Sequence, residues 1–309
     1  MDILLVVAGL GLLLVGGEML VGGATSLALR LRVPPMVIGL TLVGFGTSMP
    51  ELLTSVQAAL RGSPGIALGN VVGSNIANIL LIGGLAAAMA AIPVNRAALR
   101  RDGAWMLAAT LAALALVLLP VIGRAAGAAL LAGLGAFLWL SLRGGRAEPP
   151  TPDLVEVTRP AWASSLRMAL GLGLTLGGAA ALVEGAVSLA TIAGLPEAVI
   201  GLTLVAVGTS LPELVTSVIA ARRGQPEVAL GNILGSNVFN LLGILGTTAL
   251  IAPLPVDAGI RAFDIWVMLA ATLALLVLAW TGSRIGRREG LLLLLAYMAY
   301  TLWLGRGLF

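Results

Sequence analysis

Residues 39–78 read GLTLVGFGTSMPELLTSVQAALRGSPGIALGNVVGSNIAN, and residues 201–240 read GLTLVAVGTSLPELVTSVIAARRGQPEVALGNILGSNVFN. The two stretches align without a gap at an offset of 162 residues, and 27 of their 40 positions are identical. The same offset holds further along the chain, because MLAATLA at 106–112 recurs at 268–274. Self-similarity of this kind predicts that the chain contains two copies of one structural unit.

The composition indicates a helical membrane protein. Of 309 residues, 59% are hydrophobic and only 10% are charged, and the mean hydropathy is +1.06. A soluble domain has about 25% charged residues. Apolar runs of about 20 residues, the length that crosses a hydrocarbon core of about 30 Å, recur along the whole chain. The alternating pattern of barrel strands is absent, so we predict an all-α integral membrane fold.

The apolar runs predict ten transmembrane helices arranged as two inverted five-helix repeats. The expected spans are 3–30, 36–60, 65–92, 103–120, 122–142, 162–193, 198–221, 226–252, 263–281 and 289–307. Residues 1–143 would form the first repeat and residues 161–309 the second, joined by a polar, proline-rich linker at 144–160. Because each copy has an odd number of spans, the second copy would lie upside down relative to the first.

The arginines predict the orientation in the membrane. All 18 basic residues are arginine, and basic residues favour cytoplasmic loops. With the N-terminus outside, fourteen are cytoplasmic: Arg30, Arg32, Arg96, Arg100, Arg101, Arg143, Arg146, Arg159, Arg167, Arg222, Arg223, Arg284, Arg287 and Arg288. Four lie outside: Arg61, Arg124, Arg261 and Arg306. We therefore expect a multi-pass protein of the cell (inner or plasma) membrane, with a cytoplasmic linker and both termini extracytoplasmic. The pairs at 100–101 and 222–223 are interpreted as topology anchors.

Each copy places a glutamate beside a predicted helix break. Pro50 lacks a backbone N–H, which loosens the helix at the preceding turn, and Glu51 follows it near the middle of an apolar run. Thr47 and Ser48 precede Glu51 by four and three residues, so the three side chains share one helix face. Residues 208–213, GTSLPE, repeat the arrangement around Glu213. Carboxylates at membrane depth are costly and mark functional sites.

A second repeated block supplies further oxygen atoms. Asn70, Ser74 and Asn78 fall at i, i+4 and i+8 on one helix face. Asn232, Ser236 and Asn240 are their equivalents in the second copy. The chain has no cysteine or histidine, which excludes nitrogen and sulfur metal sites and leaves the oxygen ligands that hard cations prefer. Two glutamates also balance the charge of one divalent ion.

Packing is the competing interpretation for the small polar residues, because Gly, Ser, Thr and Asn also mediate contacts between membrane helices. It is the favoured interpretation for Asn75 and Asn237, which lie off the polar stripe. For Glu51 and Glu213, repeated in register beside helix breaks, we favour coordination. Glu18 and Glu184 are not repeat equivalents, and we interpret them as facing a wet crevice rather than lining an ion path.

The paired motifs resemble the two α-repeats of the calcium/cation antiporter superfamily, and the likeness to its prokaryotic sodium/calcium exchangers covers nearly the whole chain. The resemblance implies a central cluster of cation sites, with Glu51 and Glu213 as shared calcium ligands. It implies that the calcium and sodium sites are completed by Thr47, Ser48, Ser74, Thr209, Ser210, Ser236, Asn78 and Asn240, with backbone carbonyls of Gly44 and Ala206. It also implies exchange of three sodium ions for one calcium ion, with the first and sixth helices sliding against the other eight.

One position separates branches of the superfamily. Asn240 stands where many relatives, including potassium-dependent ones, carry Asp, and Asn78 occupies the matching place in the first copy. The resemblance therefore implies potassium-independent exchange, with little proton competition at this position.

Other functions remain open at this stage. A calcium/proton antiporter of the same superfamily would use the same carboxylates, and a cation channel could use the same oxygens without a counter-ion. An intramembrane enzyme is disfavoured, because the chain has no histidine or cysteine to act as base or nucleophile. The expected substrates are Ca²⁺ and Na⁺, in a lipid bilayer, with no cofactor, nucleic acid or obligatory protein partner.

Overall fold

The computed structural model describes residues 1–31, 33–144, 160–193 and 206–306, without the side chains of residues 142–144 and 206. Nearly all of the expected linker, and the start of the expected seventh span at 198, lie outside these residues. The helices before the linker are α1 Asp2–Leu31, α2 Pro35–Ile38, α3 Gly44–Thr47, α4 Met49–Leu60, α5 Pro64–Ala77, α6 Gly84–Met89, α7 Arg96–Ala98, α8 Ala104–Val117 and α9 Arg124–Gly144. Those after it are α10 Ala161–Ile192, α11 Ala206–Thr209, α12 Leu211–Arg222, α13 Pro226–Val238, α14 Leu245–Ile251, α15 Ile265–Gly282 and α16 Arg287–Gly305.

Five π-helical turns interrupt the α-helical hydrogen bonding of the described chain. They span Gly39–Val43, Asn78–Gly83, Leu99–Gly103, Phe239–Ile244 and Ile260–Asp264. Those at Asn78 and Phe239 join α5 to α6 and α13 to α14, which makes two continuous helices, Pro64–Met89 and Pro226–Ile251, of 26 residues each. Turns of this type are rare and accommodate one extra residue in a helix.

The described chain is mostly helical, and six of its helices are long and apolar enough to cross a membrane. A seventh span is added if Pro35–Thr47 and Met49–Leu60, which meet at a bend of 43°, count as one broken span. The helices α8 and α16 also cover expected spans, but α8 has only 14 residues and follows a charged π-helical turn, and α16 begins with three charged residues. The chain is thus a multi-pass membrane protein, and the count of ten spans stays a prediction.

The helices α1 and α10 pack against each other at very short range. Their contact uses glycines at intervals of seven residues, Gly9, Gly16 and Gly23 on α1, and Gly171, Gly178 and Gly185 on α10. A Cβ atom on Gly171 would lie 2.3 Å from the Leu20 nitrogen, and one on Gly16 would lie 2.5 Å from the Thr175 nitrogen. Only glycine permits two membrane helices to approach so closely.

Two short strand pairs join loops from the two copies. The strand β1 (Ile92–Pro93) pairs with β4 (Arg284–Ile285), and β2 (Val121–Ile122) pairs with β3 (Leu254–Pro255), both antiparallel. Arg96 reinforces the first pair, because its Nε donates to the Ser283 hydroxyl at 2.8 Å. Each pair joins two loops that the arginine pattern places on the same side of the membrane.

The core of the molecule surrounds α13. Every residue from Val228 to Val238 is buried, and most of α5 is buried as well. By contrast, α1 and α10 expose many large apolar side chains, such as Leu14 and Leu170, as helices facing lipid do. The two repeated polar stripes therefore lie in the interior, where the candidate site is found.

Candidate cation site

Both glutamates are fully buried beside a helix break. Glu51 is 0% exposed and Glu213 is 1% exposed, and each stands in the first turn of its helix, α4 or α12. The breaks fall at Ser48 (φ −82°, ψ 10°) and Ser210 (φ −90°, ψ 7°). A proline follows each break within the first turn of the new helix, where a missing N–H removes no hydrogen bond. The predicted helix breaks are therefore present at both copies.

The two copies exchange hydrogen bonds at these glutamates. The Ser48 hydroxyl donates to Glu213 Oε1 at 2.8 Å, and the Ser210 hydroxyl donates to Glu51 Oε1 at 3.0 Å. Residues 159 and 165 positions apart in the chain are thus brought into contact. This crosswise pairing places both carboxylates at one centre, with a hydroxyl of the opposite copy on each.

Several buried oxygens around the carboxylates have no hydrogen-bond partner in the described part of the chain. They are Oε2 of Glu51 and Glu213 and Oδ1 of Asn78 and Asn240. An unpaired buried acceptor costs about 1–3 kcal/mol, and more when it is charged. A cation can satisfy several of them at once, and carboxylate, hydroxyl and carboxamide oxygens are the ligands of hard cations. The donor set therefore fits Ca²⁺ and Na⁺ as substrates.

The other predicted residues of the polar stripes also come together across the two copies. The Ser236 hydroxyl donates to the Gly44 carbonyl at 3.2 Å, and Asn240 Nδ2 donates to the Ser74 hydroxyl at 3.1 Å. Ser74, Ser236, Asn78 and Asn240 are all buried. Ser236 thus contacts a predicted carbonyl ligand of the first copy, and Asn240 contacts a predicted hydroxyl ligand of that copy.

Three further predicted ligands belong to the short helices α3 and α11, which precede the two breaks. Thr47 is buried, and its hydroxyl lies 3.1 Å from the Val43 carbonyl of its own helix. Thr209 ends α11 beside Ser210 and is half-buried. Ala206 begins α11, but its side chain lies outside the described residues.

Two asparagines hold the glutamates by their backbones. Asn70 Nδ2 donates to the Glu51 carbonyl at 3.1 Å and to the Ser55 hydroxyl at 2.9 Å. In the second copy Asn232 Nδ2 donates to the Glu213 carbonyl at 3.3 Å and to the Ser217 hydroxyl at 2.9 Å.

The sequence places Asn70 and Asn232 in the two polar stripes but not in the predicted ligand set, and it did not single out Ser55 and Ser217. Ser55 and Ser217 each lie one turn after a glutamate, inside the repeated block. That repeated spacing is the signal that could have found them, because residues at i and i+4 share a helix face.

Residues that the sequence sets apart from the site form other contacts or face the surface in the structure. Glu184 is exposed on α10, and the Glu18 carboxylate on α1, 45% exposed, forms an ion pair with Arg223. Asn75 and Asn237 each donate to the carbonyl four residues earlier in their own helix, at 2.7 Å. One member of each arginine pair also forms an ion pair, since Arg101 binds Asp102 through two hydrogen bonds of 2.7 and 2.8 Å.

Comparison with known families agrees with this geometry. The family described as "Sodium/calcium exchanger protein" matches residues 1–143 and 164–305, which include both glutamates, both helix breaks and both polar stripes. The chain belongs to the sodium/calcium exchanger family. Members of this family are membrane antiporters. The match covers both copies of the repeated motif from which the sequence predicts an exchanger.

Individual relatives of this exchanger span its whole length. The putative antiporter CaxA of Alkalimonas amylolytica is 40% identical over 305 residues, covering 96% of each chain. The sodium/calcium exchanger MaX1 of Methanosarcina acetivorans is 36% identical and covers 97% of each chain. A solved structure of the sodium-calcium exchanger NCX_Mj, soaked with Na⁺, superposes with a TM-score of 0.87 at 33% identity, over 98% of this chain and 99% of that one.

Proposed function

We propose that this exchanger transports Ca²⁺ in exchange for Na⁺ across a cell membrane by alternating access. The observation that carries the proposal is the crosswise pairing of Ser48 with Glu213 and of Ser210 with Glu51 at one buried centre. Both ions prefer oxygen ligands, and the same carboxylates would serve both, so binding of one ion would displace the other.

Charge neutralisation would couple the two ions. Two buried carboxylates without a cation carry a charge that is costly at membrane depth. One Ca²⁺ balances it, and so do two Na⁺ ions, whereas an empty site stays charged. A protein that reorients only when the carboxylates are neutralised would exchange ions rather than leak them.

The proposed mechanism uses the two copies, residues 1–143 and 161–309, as inverted five-helix units joined by a cytoplasmic linker at 144–160. The reciprocal contacts at the glutamates and the strand pairing of β1 with β4 and β2 with β3 support this arrangement. The tight contact of α1 with α10 would let these two helices move together against the rest of the protein.

Potassium independence and electrogenic transport complete the proposal. Asn78 and Asn240 are buried neutral side chains, so the carboxylates of the central site are those of Glu51 and Glu213. Exchange of three Na⁺ for one Ca²⁺, as the superfamily resemblance implies, would move one net positive charge in each cycle, because the third Na⁺ adds to the two that balance the carboxylates. The complete ligand set in this proposal includes Thr47, Ser48, Ser74, Asn78, Thr209, Ser210, Ser236 and Asn240 with the carbonyls of Gly44 and Ala206.

Uptake of radioactive calcium into proteoliposomes tests the coupling ion. Vesicles would be loaded with Na⁺, K⁺ or choline at matched pH, and a fourth set would carry an outward proton gradient. We expect uptake only from Na⁺-loaded vesicles, without stimulation by added K⁺, and with a rate that depends on membrane potential set by an ionophore.

Each of the other outcomes would indicate a different transport mechanism or a different ion dependence. Uptake that requires the proton gradient and not Na⁺ would indicate a calcium/proton antiporter. Equal uptake from all vesicles would indicate a channel. Stimulation by K⁺ would show that the neutral Asn78 and Asn240 do not exclude potassium dependence.

A further inference from the structure

Asn232 has a fixed amide orientation in the middle of α13. The side chain is 0% exposed, and its Nδ2 lies 3.3 Å from the Glu213 carbonyl oxygen. A backbone carbonyl can only accept a hydrogen bond, so the NH₂ group and not the carboxamide oxygen must face it. The second NH₂ hydrogen reaches the Ser217 hydroxyl at 2.9 Å. The carboxamide oxygen therefore points the other way.

On that other side lies a predicted cation ligand of the first copy. Asn232 Oδ1 is 3.3 Å from the Thr47 hydroxyl, which is also within 3.1 Å of the Val43 carbonyl and 3.3 Å of the Gly44 carbonyl. The hydroxyl has one hydrogen and two lone pairs. Each of the three neighbouring oxygens can accept that hydrogen, and Asn232 supplies the one that comes from the opposite copy.

We propose that Asn232 is a positioning residue that directs the Thr47 hydroxyl hydrogen away from the ion, so that the oxygen lone pairs face the bound cation. The inference rests on the proposed function, in which Thr47 binds the transported ion. A hydroxyl whose hydrogen faced the cation would repel it, because its dipole would be reversed. One asparagine would thus link the backbone of Glu213 in one copy to a cation ligand in the other.

The expected size of the effect is moderate. Without the Asn232 side chain, the Val43 and Gly44 carbonyls still accept from Thr47, so the preferred orientation is weakened and not lost. A neutral hydrogen bond contributes about 0.5–1.5 kcal/mol. We expect Asn232→Ala to raise the half-saturating Na⁺ concentration by about three- to tenfold.

A double-mutant cycle separates this role from a general structural one. The variants are Asn232→Ala, Thr47→Val and the double variant, in the full-length protein. Sodium binding would be measured in detergent from the rise in melting temperature with Na⁺ concentration, and transport from the Na⁺ dependence of calcium uptake. If Asn232 acts through the Thr47 hydroxyl, Asn232→Ala will weaken Na⁺ binding less in the Thr47→Val background than in the wild type, because only its contacts with Glu213 and Ser217 then remain to be lost.

Asn237 provides the matched control, since it is a buried asparagine on the same helix whose amide donates only to its own helix, at the Ile233 carbonyl. Its change to Ala should act independently of Thr47→Val. If Asn232→Ala does not yield a monodisperse protein, Asn232→Ser replaces it, since the serine side chain is too short to reach both Glu213 and Thr47.

The outcomes separate this inference from the proposed function. The positioning role would be overturned if the fold-changes in half-saturating Na⁺ concentration caused by Asn232→Ala and Thr47→Val simply multiply in the double variant. It would also be overturned if Asn232→Ala has no effect, even if exchange is confirmed. A wild-type protein that binds Na⁺ with the expected coupling but does not exchange it for Ca²⁺ would overturn the proposed function alone. A wild-type protein that neither binds nor transports Na⁺ would overturn both.

Discussion

At the scale of single residues, the site depends on contacts that cross from one copy to the other. The repeated TS-x-PE motif identifies Glu51 and Glu213 from the sequence, because a carboxylate in an apolar membrane helix is costly and is retained where it binds or transports something. Spacing along one helix shows which side chains share a face, but not which helix they meet. The crosswise partners Ser48 and Ser210 therefore required the three-dimensional structure.

Replacing either crosswise serine should weaken calcium binding equally. Ser48→Ala and Ser210→Ala each remove a hydroxyl from the opposite carboxylate, and a hydrogen bond to a charged group contributes roughly 1.5–3 kcal/mol. We expect each variant to raise the half-saturating Ca²⁺ concentration by about tenfold or more, as measured by calcium-dependent uptake. Ser26→Ala is the control, because within the described part of the chain the Ser26 hydroxyl bonds only to the Gly22 carbonyl of its own helix. A tenfold difference between the two serine variants would contradict the reciprocal geometry.

At the scale of helices, the sequence predicts where the helices break, but it does not predict which helices pack together. Pro50 and Pro212 indicate the breaks at Ser48 and Ser210, which the structure contains. The π-helical turns had no such signal, since a sequence such as Asn78–Gly83 is compatible with a regular helix. The glycines on α1 and α10 are visible in the sequence, but their partner helix is not, because glycine spacing does not specify which helix approaches.

A methyl group at the α1–α10 contact should separate the two helices. A Cβ atom on Gly171 would meet the Leu20 backbone at 2.3 Å, whereas nothing lies within 4 Å of one on Gly173, two residues further along. We expect Gly171→Ala to lower stability by roughly 1–3 kcal/mol, as overpacking does, and to lower the melting temperature of the purified protein. Gly173→Ala should leave it unchanged or slightly raised. Equal melting temperatures for the two variants would show that the contact is looser than described.

At the scale of the whole molecule, the sequence predicts the architecture mainly through the repeat and the charge distribution. The offset of 162 residues predicts two equivalent units, and equivalent residues do meet, as Thr110 and Thr272 do at 3.4 Å between their hydroxyls. Arginine positions predict which loops share a side, and the strand pairs join loops in that way. The sequence could not predict the pairing itself, because strands of two residues leave almost no pattern.

Introduced single cysteines can test the predicted orientation, because the chain has no cysteine of its own that would react with the labelling reagent. Ala97 lies in a loop predicted to be cytoplasmic and Ala258 in a loop predicted to be outside, and both are exposed. In intact cells a membrane-impermeant thiol reagent should label Ala258→Cys and spare Ala97→Cys, and inverted vesicles should give the opposite result. Labelling of both positions from one side would contradict the arrangement of spans.

The most direct test of the central claim, that one carboxylate from each copy forms a shared exchange site, is sodium-driven calcium uptake by glutamine variants. Glu51→Gln and Glu213→Gln keep the side-chain volume and remove one of the two charges that balance Ca²⁺. Glu184→Gln removes an exposed carboxylate on α10 and serves as the control. We predict that each of the first two variants abolishes uptake in Na⁺-loaded proteoliposomes, while the control retains it. Wild-type uptake by either Glu51→Gln or Glu213→Gln would contradict the account.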